Sequence, residues 1–232
     1  MAHVRTIAIL PAKSFGAAKQ RLGDMLGAGS RQALAQAMFT DVLASLRRVR
    51  GLDAIVVVTR DGIAESTALG HGVQVLREDP QDGQSAAALI GIRYAIGAGF
   101  DRVLLVPGDT PLLDPREVDD LLAAADGRQL AAVIVPDRHG TGTNALLLAP
   151  PGVVEPSFGP GSLERHLAAA RAAEIPHDVA EPASLTLDVD TPDDLAELSA
   201  VLESLRGRAP MTRGALAQLG RSRVRSKAVA SA

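Results

Sequence analysis

Short apolar runs alternate with helix-like patterns along most of this chain, and this alternation constrains its fold more than any other feature. Runs rich in Val, Ile and Leu predict β-strands at residues 6–10, 54–59, 73–76, 102–106 and 131–135. Runs such as AIVVV and VLLV are too continuously apolar for a sheet with one solvated face, so they indicate parallel strands covered on both faces. The alternation therefore predicts a doubly wound α/β fold with right-handed crossovers.

Apolar residues recur with helical spacing between these strands. In residues 30–49 they fall at positions 34, 37, 38, 42, 43 and 46, which is a period of about 3.6 residues. The same spacing predicts a helix over 84–98, and Asp114 followed by Pro115 predicts the N-cap and first residue of a helix over 116–125. Beyond residue 140 the sequence predicts a strand at 145–149, a Pro/Gly loop at 150–161, a helix at 162–173, a strand at 184–189 and a helix at 192–205 capped by Thr191.

Charge divides the 232 residues into two parts. No acidic residue follows Glu203, whereas the segment after it carries the basic side chains Arg206, Arg208, Arg213, Arg221, Arg223, Arg225 and Lys227. A chain of this length suits one domain with an appendage. Because so polar a segment buries too little apolar surface to order itself, we expect one folded domain over 1–205 and a basic, disordered tail over 206–232.

Composition excludes several classes of protein. The chain has no Cys, which excludes disulfides, thiolate metal sites and a cysteine nucleophile. No apolar run approaches the roughly 18 residues of a membrane span, and the opening MAHVRTIAIL lacks the features of a signal peptide. We therefore expect a soluble cytoplasmic protein without membrane contacts. The chain has only one Tyr and four Phe to stack on bases, and the residues before the basic segment carry a net negative charge. We therefore expect no nucleic-acid partner.

The loop after the first strand combines small residues with positive charge. Residues 11–22 read PAKSFGAAKQRL and contain Lys13, Lys19 and Arg21. In a doubly wound sheet, ligands bind beyond the carboxyl ends of strands, where this loop lies. Its cations and accessible backbone N–H groups suit a polyphosphate, although no P-loop motif occurs and an exposed basic loop is the alternative.

Three aspartates suit a divalent cation. Asp109 follows the fourth strand in the rigid segment PGDTP, and its carboxylate suits Mg²⁺ on a nucleotide phosphate, with a simple turn Asp as the alternative. Asp188 and Asp190 are two residues apart, so on an extended segment both carboxylates face one side and favour a cation between them. Asp193 and Asp194 instead fall in the first turn of a predicted helix, where the macrodipole favours acids.

Two glycine-rich loops add a candidate anion site. GTGTN at 140–144 contains the pattern G-x-G-x-x-A, but no helix opens after it, so it is not expected to bind a dinucleotide. SFGPGS at 157–162 ends at a predicted helix start, where backbone N–H groups and the Ser162 hydroxyl would hold an anion. Such a site suits a small phosphorylated acid, and glycine turn geometry is the alternative for both loops.

Taken in order, the segments PAKSFGAAKQRL, GDTPLL, DRHGTGTNALLL, FGPGSLERHL and LDVDTPDDL resemble the guanylyltransferases of coenzyme F-420 biosynthesis, which act on 2-phospho-L-lactate or phosphoenolpyruvate. The resemblance spans about residues 5–205. GDTPLL and a basic first loop are common to nucleotidyltransferases, whereas the GTGTN and FGPGS pair is specific to this family. The resemblance implies a nucleotide-diphosphosugar-transferase-like three-layer α/β/α sandwich with a mixed, mostly parallel central sheet.

The resemblance implies an enzyme that joins GMP from GTP to phosphoenolpyruvate, giving enolpyruvoyl-2-diphospho-5′-guanosine and pyrophosphate. Residue chemistry and resemblance together make Mg²⁺ the expected cofactor, held by Asp109, Asp188 and Asp190, with Lys13, Lys19, Arg21 and Asp109 as the expected catalytic residues. The expected acid-binding residues are Thr143, Gly159 and Ser162, and the expected nucleotide-binding residues are Ala12, Lys13, Lys19, Arg21, Gln84 and Ser85.

Other functions stay open at this level. 2-Phospho-L-lactate and 3-phosphoglycerate are alternative acceptors, because acids that differ near one or two carbons are hard to discriminate. A sugar-phosphate or molybdenum cofactor nucleotidyltransferase would share the first loop and Asp109 without needing both glycine loops. A non-catalytic nucleotide-binding protein would tolerate loss of the three candidate metal carboxylates, all of which this chain retains.

Overall fold

A mixed sheet of seven strands runs through the centre of the fold. The computed structural model describes residues 3–77 and 83–230, with 222–230 as backbone alone. The strands are β1 (Thr6–Ala12), β2 (Ala54–Thr59), β3 (Gln74–Leu76), β4 (Arg102–Leu105), β5 (Ala132–Pro136), β6 (Thr143–Leu148) and β7 (His177–Val179). They lie in the order β3-β2-β1-β4-β6-β5-β7, in which β6 is antiparallel to both neighbours and the other pairs are parallel.

Helices cover both faces of this sheet. They are α1 (Ala28–Leu46), α2 (Gly62–Gly70), α3 (Gly83–Gly97), α4 (Pro115–Arg128), α5 (Ser162–Ala172), α6 (Pro192–Ser204) and α7 (Pro210–Ala230). Along β1, Ala8 and Leu10 pack with residues of α1, α2 and α4, while Ile7 and Ile9 pack with residues of α3 and α5. The predicted α/β/α sandwich is therefore confirmed. None of these helices, within the described residues, is both long and apolar enough to cross a bilayer.

Two predicted helix starts are confirmed in atomic detail. The Asp114 carboxylate accepts a hydrogen bond from the Arg116 N–H, and Pro115 occupies the first turn of α4. Thr191 caps α6 in a capping box: its hydroxyl accepts from the Asp194 N–H, and the Asp194 carboxylate accepts from the Thr191 N–H. Each such cap contributes about 1 kcal/mol, because it satisfies an N–H group that has no partner within its helix.

The strand predicted at 184–189 is wrong. Residues 183–186 form turns and 187–190 are irregular, without ladder pairing to any described strand. The apolar alternation that suggested a strand reflects burial of Leu185, Leu187 and Val189 in the core. β7 was not predicted, because only its three residues HDV pair with β5 and so short a segment shows no clear strand pattern.

The segment expected to be a disordered tail instead forms α7 against the domain. The Asp41 carboxylate, buried in α1, accepts hydrogen bonds at 2.7 Å from both the N–H and the hydroxyl of Thr212, which is fully buried. Arg208 donates to the Leu112 carbonyl at 3.0 Å and to the Asp114 carboxylate. The expectation of disorder is therefore wrong for residues 208–221, because a few specific anchors attach the helix despite its polar composition. The packed residues of this segment are Ala209, Ala215, Leu216 and Leu219.

Strand order brings several loops to one edge of the sheet. β1 and β4 are parallel neighbours, but the chain visits β2 and β3 on the far side of β1 first, so a topological switch point lies between β1 and β4. β6 runs antiparallel to β4 with Leu146 opposite Leu105, which places the start of β6 beside the carboxyl end of β4. The loops after β1 and β4 and the loop before β6 therefore meet at the edge where ligands bind.

Removing α7 should destabilise the domain. A chain ending at Leu205 leaves the Asp41 carboxylate without its Thr212 partners and exposes part of the apolar cluster around Leu34 and Met38. We expect the free energy of unfolding to fall by about 3 kcal/mol or more, measured by urea denaturation. A chain ending at Arg221 is the matched control, since it keeps these contacts. Equal stability of the two truncated chains would contradict the packing role of α7.

Candidate active site

A cavity of about 410 Å³ lies at the switch point between β1 and β4. The loop after β1 forms most of its wall, and Asp109, from the loop after β4, and Asp190 also line it. Five of the six predicted nucleotide-binding residues line this one cavity: Ala12, Lys13, Lys19, Arg21 and Gln84. The structure thus brings together, in one concave space, residues that are up to 72 positions apart in the chain.

The loop after β1 is held in place through its apolar and backbone groups. Phe15 packs edge-on against Phe39 of α1, with ring centroids 5.4 Å apart, and its N–H donates to the Asp61 carboxylate at 3.0 Å. The Thr59 hydroxyl donates to the Ala12 carbonyl at 2.7 Å. These contacts need none of the loop's cations, so Lys13 and Arg21 remain exposed and available to an anionic ligand.

The turn that carries Asp109 packs directly against the same aromatic pair. A Cβ added to Gly108 would lie 2.7 Å from Cδ2 of Phe39, which is too close for any side chain. Gly108 therefore lets the backbone approach the ring and sets the position of the following carboxylate. The prolines on either side of this turn, Pro107 and Pro111, limit its backbone freedom further.

Lys19 lies between two carboxylates. Its Nζ donates to Asp109 Oδ2 at 2.5 Å and to Asp190 Oδ1 at 2.9 Å, and only 6% of its side chain is exposed. Burial by itself would lower the pKa of Lys19, but the negative charges of Asp109 and Asp190 outweigh burial and raise that pKa above its ordinary value. This ammonium was expected to contact a triphosphate, and it lies within the acidic cluster at the cavity wall.

Asp188 and Asp190 converge as their spacing predicts, and Asp109 joins them. One carboxylate oxygen from each lies within 4.8 Å of the others. Burial, followed by the charges of Asp109 and Asp190, raises the pKa of Asp188 to about 6. Three carboxylates this close favour a cation among them, so the cluster is able to hold a metal ion.

Asn144, which sequence reasoning left without a role, holds one of these carboxylates. Its Nδ2 donates to the Leu185 and Thr186 carbonyls at 2.9 Å each and to Asp188 Oδ1 at 3.3 Å. Asn144 is buried at the start of β6, so it needs such partners. A buried amide in an otherwise apolar strand is the signal that could have revealed it. Residues 185–188 form no ladder with any described strand, and the Asn144 side chain instead holds this segment against β6 and orients Asp188.

The acids of α6 have the structural role that was predicted for them. Asp193 is exposed in the first turn of the helix, and Asp194 belongs to the capping box. Burial would raise the pKa of Asp194, but its hydrogen bonds with Thr191 and the Asp190 N–H, and the charge of Arg138, hold that pKa below its ordinary value. Neither Asp193 nor Asp194 belongs to the described group of three carboxylates that could hold a metal.

The predicted acid-binding residues lie where the two glycine loops meet α5. Leu163 N–H donates to the Thr141 carbonyl at 3.2 Å, which joins the start of α5 to the loop before β6. Ser162 is 1% exposed, and its hydroxyl has no hydrogen-bond partner among the described residues. Gly159 has φ of 109°, a conformation that favours glycine. An unpartnered buried hydroxyl at a helix N-terminus is free to bind a ligand.

The loop 157–162 is held by side chains from α5 and α3. The Arg165 guanidinium donates to the Pro160 carbonyl at 2.6 Å and to the Ser157 carbonyl at 2.8 Å. Ser85 was predicted to face the nucleotide, and its Oγ instead accepts a hydrogen bond from the Phe158 N–H at 2.9 Å. Ser85 therefore links α3 to the glycine loop, whereas its neighbour Gln84 reaches the cavity.

His166, which lies on α5 one turn after Ser162, was also missed. Its Nδ1 lies 2.9 Å from the Thr143 hydroxyl oxygen, and its Nε2 accepts a hydrogen bond from the Ser157 N–H at 2.8 Å. His166 is fully buried, with its ring edge-on to Phe158. A single His on a predicted helix carries no sequence signal of such contacts, because one partner comes from the start of β6 and the other from a separate loop.

Known proteins resemble this chain in sequence and in fold. A family model described as "Guanylyl transferase CofC like" matches residues 6–224. The chain is 48% identical, over 94% of its length and 97% of the relative's, to a Conexibacter woesei protein named phosphoenolpyruvate guanylyltransferase. It is 32% identical, over 84% of each chain, to the 2-phospho-L-lactate guanylyltransferase of Methanothermobacter thermautotrophicus. In fold it resembles a candidate nucleotide-diphospho-sugar transferase from Desulfovibrio desulfuricans G20, with TM-score 0.73, 20% identity and coverage of 93% of this chain and 97% of the other.

The raised pKa of Asp188 makes the metal-free domain sensitive to pH. A carboxyl whose pKa rises on folding, here from 3.8 to about 6, favours the folded state below the lower value and loses that contribution as the pH rises through about 6. We expect Asp188→Asn to raise the melting temperature at pH 7.5, in EDTA, by about 2–8 °C, corresponding to about 1–2 kcal/mol. The gain should vanish near pH 4, where Asp188 itself is neutral.

Asp193→Asn is the matched control for this measurement, because it removes an exposed carboxylate from the next helix. It should give no gain in melting temperature at pH 7.5. An Asp188→Asn protein no more stable than the original chain at pH 7.5 would show that the carboxylate cluster exerts no repulsion.

Proposed function

Because the chain belongs to the family of CofC-like guanylyl transferases and is thus a nucleotidyltransferase, we propose that it transfers GMP from GTP to phosphoenolpyruvate in coenzyme F-420 biosynthesis. The relative with 48% identity over nearly the whole chain, named for this reaction, supports phosphoenolpyruvate as the acceptor. The observation that carries the proposal is the meeting, at one sheet edge, of a cavity lined by cations and carboxylates with the buried hydroxyl residues Thr143 and Ser162.

The nucleotide triphosphate would occupy the cavity at the switch point. Lys13 and Arg21 are exposed on its wall and would neutralise phosphate oxygens, while Ala12 allows the backbone to approach them. Lys19 would contribute its charge from beside Asp109. Gln84 lines the same cavity and would offer its amide to the base.

Mg²⁺ fits the carboxylate cluster. It prefers hard oxygen ligands, and Asp109, Asp188 and Asp190 offer three within 4.8 Å. The Lys19 ammonium already offsets part of their negative charge. When bound, the ion would neutralise charge on phosphoryl oxygens as the transition state forms. Asn144 would keep Asp188 oriented toward it.

The reaction needs positioning more than proton transfer. A phosphate oxygen of the acid forms a bond to the α-phosphorus of GTP, while the bond from that phosphorus to the bridging oxygen breaks and pyrophosphate leaves with the electron pair. A phosphate monoester has a second pKa near about 6, so at pH 7 it is already ionised and requires no general base. The side chains therefore contribute by holding both anions in line and by neutralising charge.

The acid would bind where β6 begins and α5 begins. Thr143 and Ser162 would supply hydroxyl donors, and the glycine conformation at Gly159 would let backbone groups approach the ligand. Both hydroxyls are more than nine-tenths buried, so a hydrogen bond made there is sheltered from water.

The proposed reaction predicts GTP-dependent and Mg²⁺-dependent release of pyrophosphate in the presence of phosphoenolpyruvate. The assay should include 2-phospho-L-lactate, for which a 32% identical relative is named, and 3-phosphoglycerate, with ATP and CTP replacing GTP in parallel. We expect Asp109→Asn to lower kcat more than a hundredfold, a loss of about 2.7 kcal/mol. Asp193→Asn, in the adjoining helix, should retain turnover. If phosphoenolpyruvate gives no product while another acid does, the acceptor assignment fails and the family activity stands.

Ser162→Ala tests the placement of the two substrates. The substitution removes one hydrogen bond to a charged group, worth about 1.5–3 kcal/mol, so the acceptor KM should rise about tenfold to a hundredfold. The Kd of GTP, measured alone by calorimetry, should stay unchanged. Thr141→Ala is the matched control, because its hydroxyl is exposed on the neighbouring loop. Weakened GTP binding with an unchanged acceptor KM would show that the glycine loops bind the nucleotide and not the acid.

A further inference from the structure

His166 is a buried titratable side chain that the proposed reaction does not use. It lies four residues after Ser162 on α5, so both side chains share one face of the helix. That face meets the start of β6, where Nδ1 of His166 lies 2.9 Å from the Thr143 hydroxyl oxygen. The contact therefore links Thr143 to the helix face that carries Ser162, and these are the two hydroxyl residues assigned above to the acid.

The hydrogen bonds of His166 determine which ring nitrogen carries its proton. Nε2 accepts from the backbone N–H of Ser157 at 2.8 Å, so Nε2 has no hydrogen of its own. A neutral imidazole must then carry its hydrogen on Nδ1 and donate it to the Thr143 hydroxyl oxygen. Burial, and the neighbouring charge of Arg165, lower the pKa of His166 to about 4, which keeps the ring neutral near pH 7.

This arrangement fixes which hydrogen bonds the Thr143 hydroxyl accepts and which it donates. Its oxygen accepts the imidazole hydrogen, so its own hydrogen remains to be donated elsewhere. No acceptor for that hydrogen occurs among the hydrogen bonds of the described residues, and the Ser162 hydroxyl likewise has no partner there. Two buried hydroxyls with hydrogens to donate are matched by an oxygen that only accepts, such as that of a carboxylate or phosphate.

We propose that His166 is a positioning residue that makes Thr143 a hydroxyl donor and thereby selects acceptors with a negatively charged, accept-only oxygen at this position. The proposal rests on the proposed function in placing the acid at Thr143 and Ser162. It adds the reason why the site would disfavour an analogue that presents an amide N–H there: an N–H group cannot accept from these hydroxyls, so buried donors would be left unpaired.

The imidazole tautomer can be measured without turnover. In the full-length protein labelled with ¹⁵N-histidine, we expect the signal of His166 to show a neutral ring with hydrogen on Nδ1 between pH 5.5 and 7.5. His166→Gln identifies this signal by removing it. A His166 signal that shows hydrogen on Nε2, or that titrates between pH 5.5 and 7.5, would overturn the proposal.

Two variants of His166 separate its two hydrogen bonds. The Asn amide N–H reproduces the Nδ1 donor, whereas the Gln carbonyl reproduces the Nε2 acceptor that anchors Ser157. We expect His166→Gln to raise the KM for phosphoenolpyruvate about tenfold or more with the Kd of GTP unchanged, and His166→Asn to recover most of that loss. His71→Gln, at the end of α2, is the control.

The same acceptor KM in His166→Gln and His166→Asn, whether or not that KM is higher than in the original chain, would contradict the proposal. This result would show that donation to Thr143 has no part in recognition of the acid. The carboxamide analogue of phosphoenolpyruvate should bind much more weakly than the acid to the original chain, and equal binding would also overturn the proposal. If the original chain turns over no phosphorylated acid, the proposed function fails, and the tautomer measurement still decides the state of His166.

Discussion

The direction of β6 is the constraint on which the rest of the site depends. In an all-parallel sheet, every strand brings its carboxyl end to the ligand edge, so only loops that follow strands reach a ligand. β6 runs antiparallel between β4 and β5 and brings its first residues to that edge instead. Thr143 there contacts His166, and Asn144 contacts Asp188. One reversed strand therefore joins the charged cavity to the glycine loops.

Asp188 and Asp194 are six residues apart and lie in opposite electrostatic environments. Asp194 is surrounded by donors, and its pKa falls below the ordinary value, so its charge stabilises the start of α6. Asp188 is buried beside two other carboxylates, and its pKa rises to about 6. Such opposed environments are typical of functional sites, where charge is arranged for a ligand at the expense of the free protein. Lys19 offsets only part of this repulsion.

Local pattern was sufficient to predict a doubly wound α/β fold and the caps at Asp114 and Thr191, because apolar periodicity and capping chemistry are properties of neighbouring residues. The sandwich with a mixed sheet was implied by the family resemblance. Local pattern also predicted that Asp188 and Asp190 would face one cation, and the structure brings them to Asp109, although their role as metal ligands stays a prediction. The position of Lys19 was not predictable, since it depends on a left-handed backbone and a partner 171 residues away. The order of α7 was missed because mean polarity hides anchors such as Thr212.

In the proposed reaction the two halves of the site bind anions by different physical means. The nucleotide half uses full charges, Lys13 and Arg21 among them, whose attraction extends over about 8 Å at physiological ionic strength and has little dependence on orientation. The acid half uses the neutral donors Thr143 and Ser162, which act only at hydrogen-bond distance and only along the O–H direction. Long-range charge suits capture of a polyphosphate, whereas short directional bonds suit discrimination among small acids. Specificity for the acceptor therefore depends on what holds those hydroxyls in place, namely His166 for Thr143 and the start of α5 for Ser162.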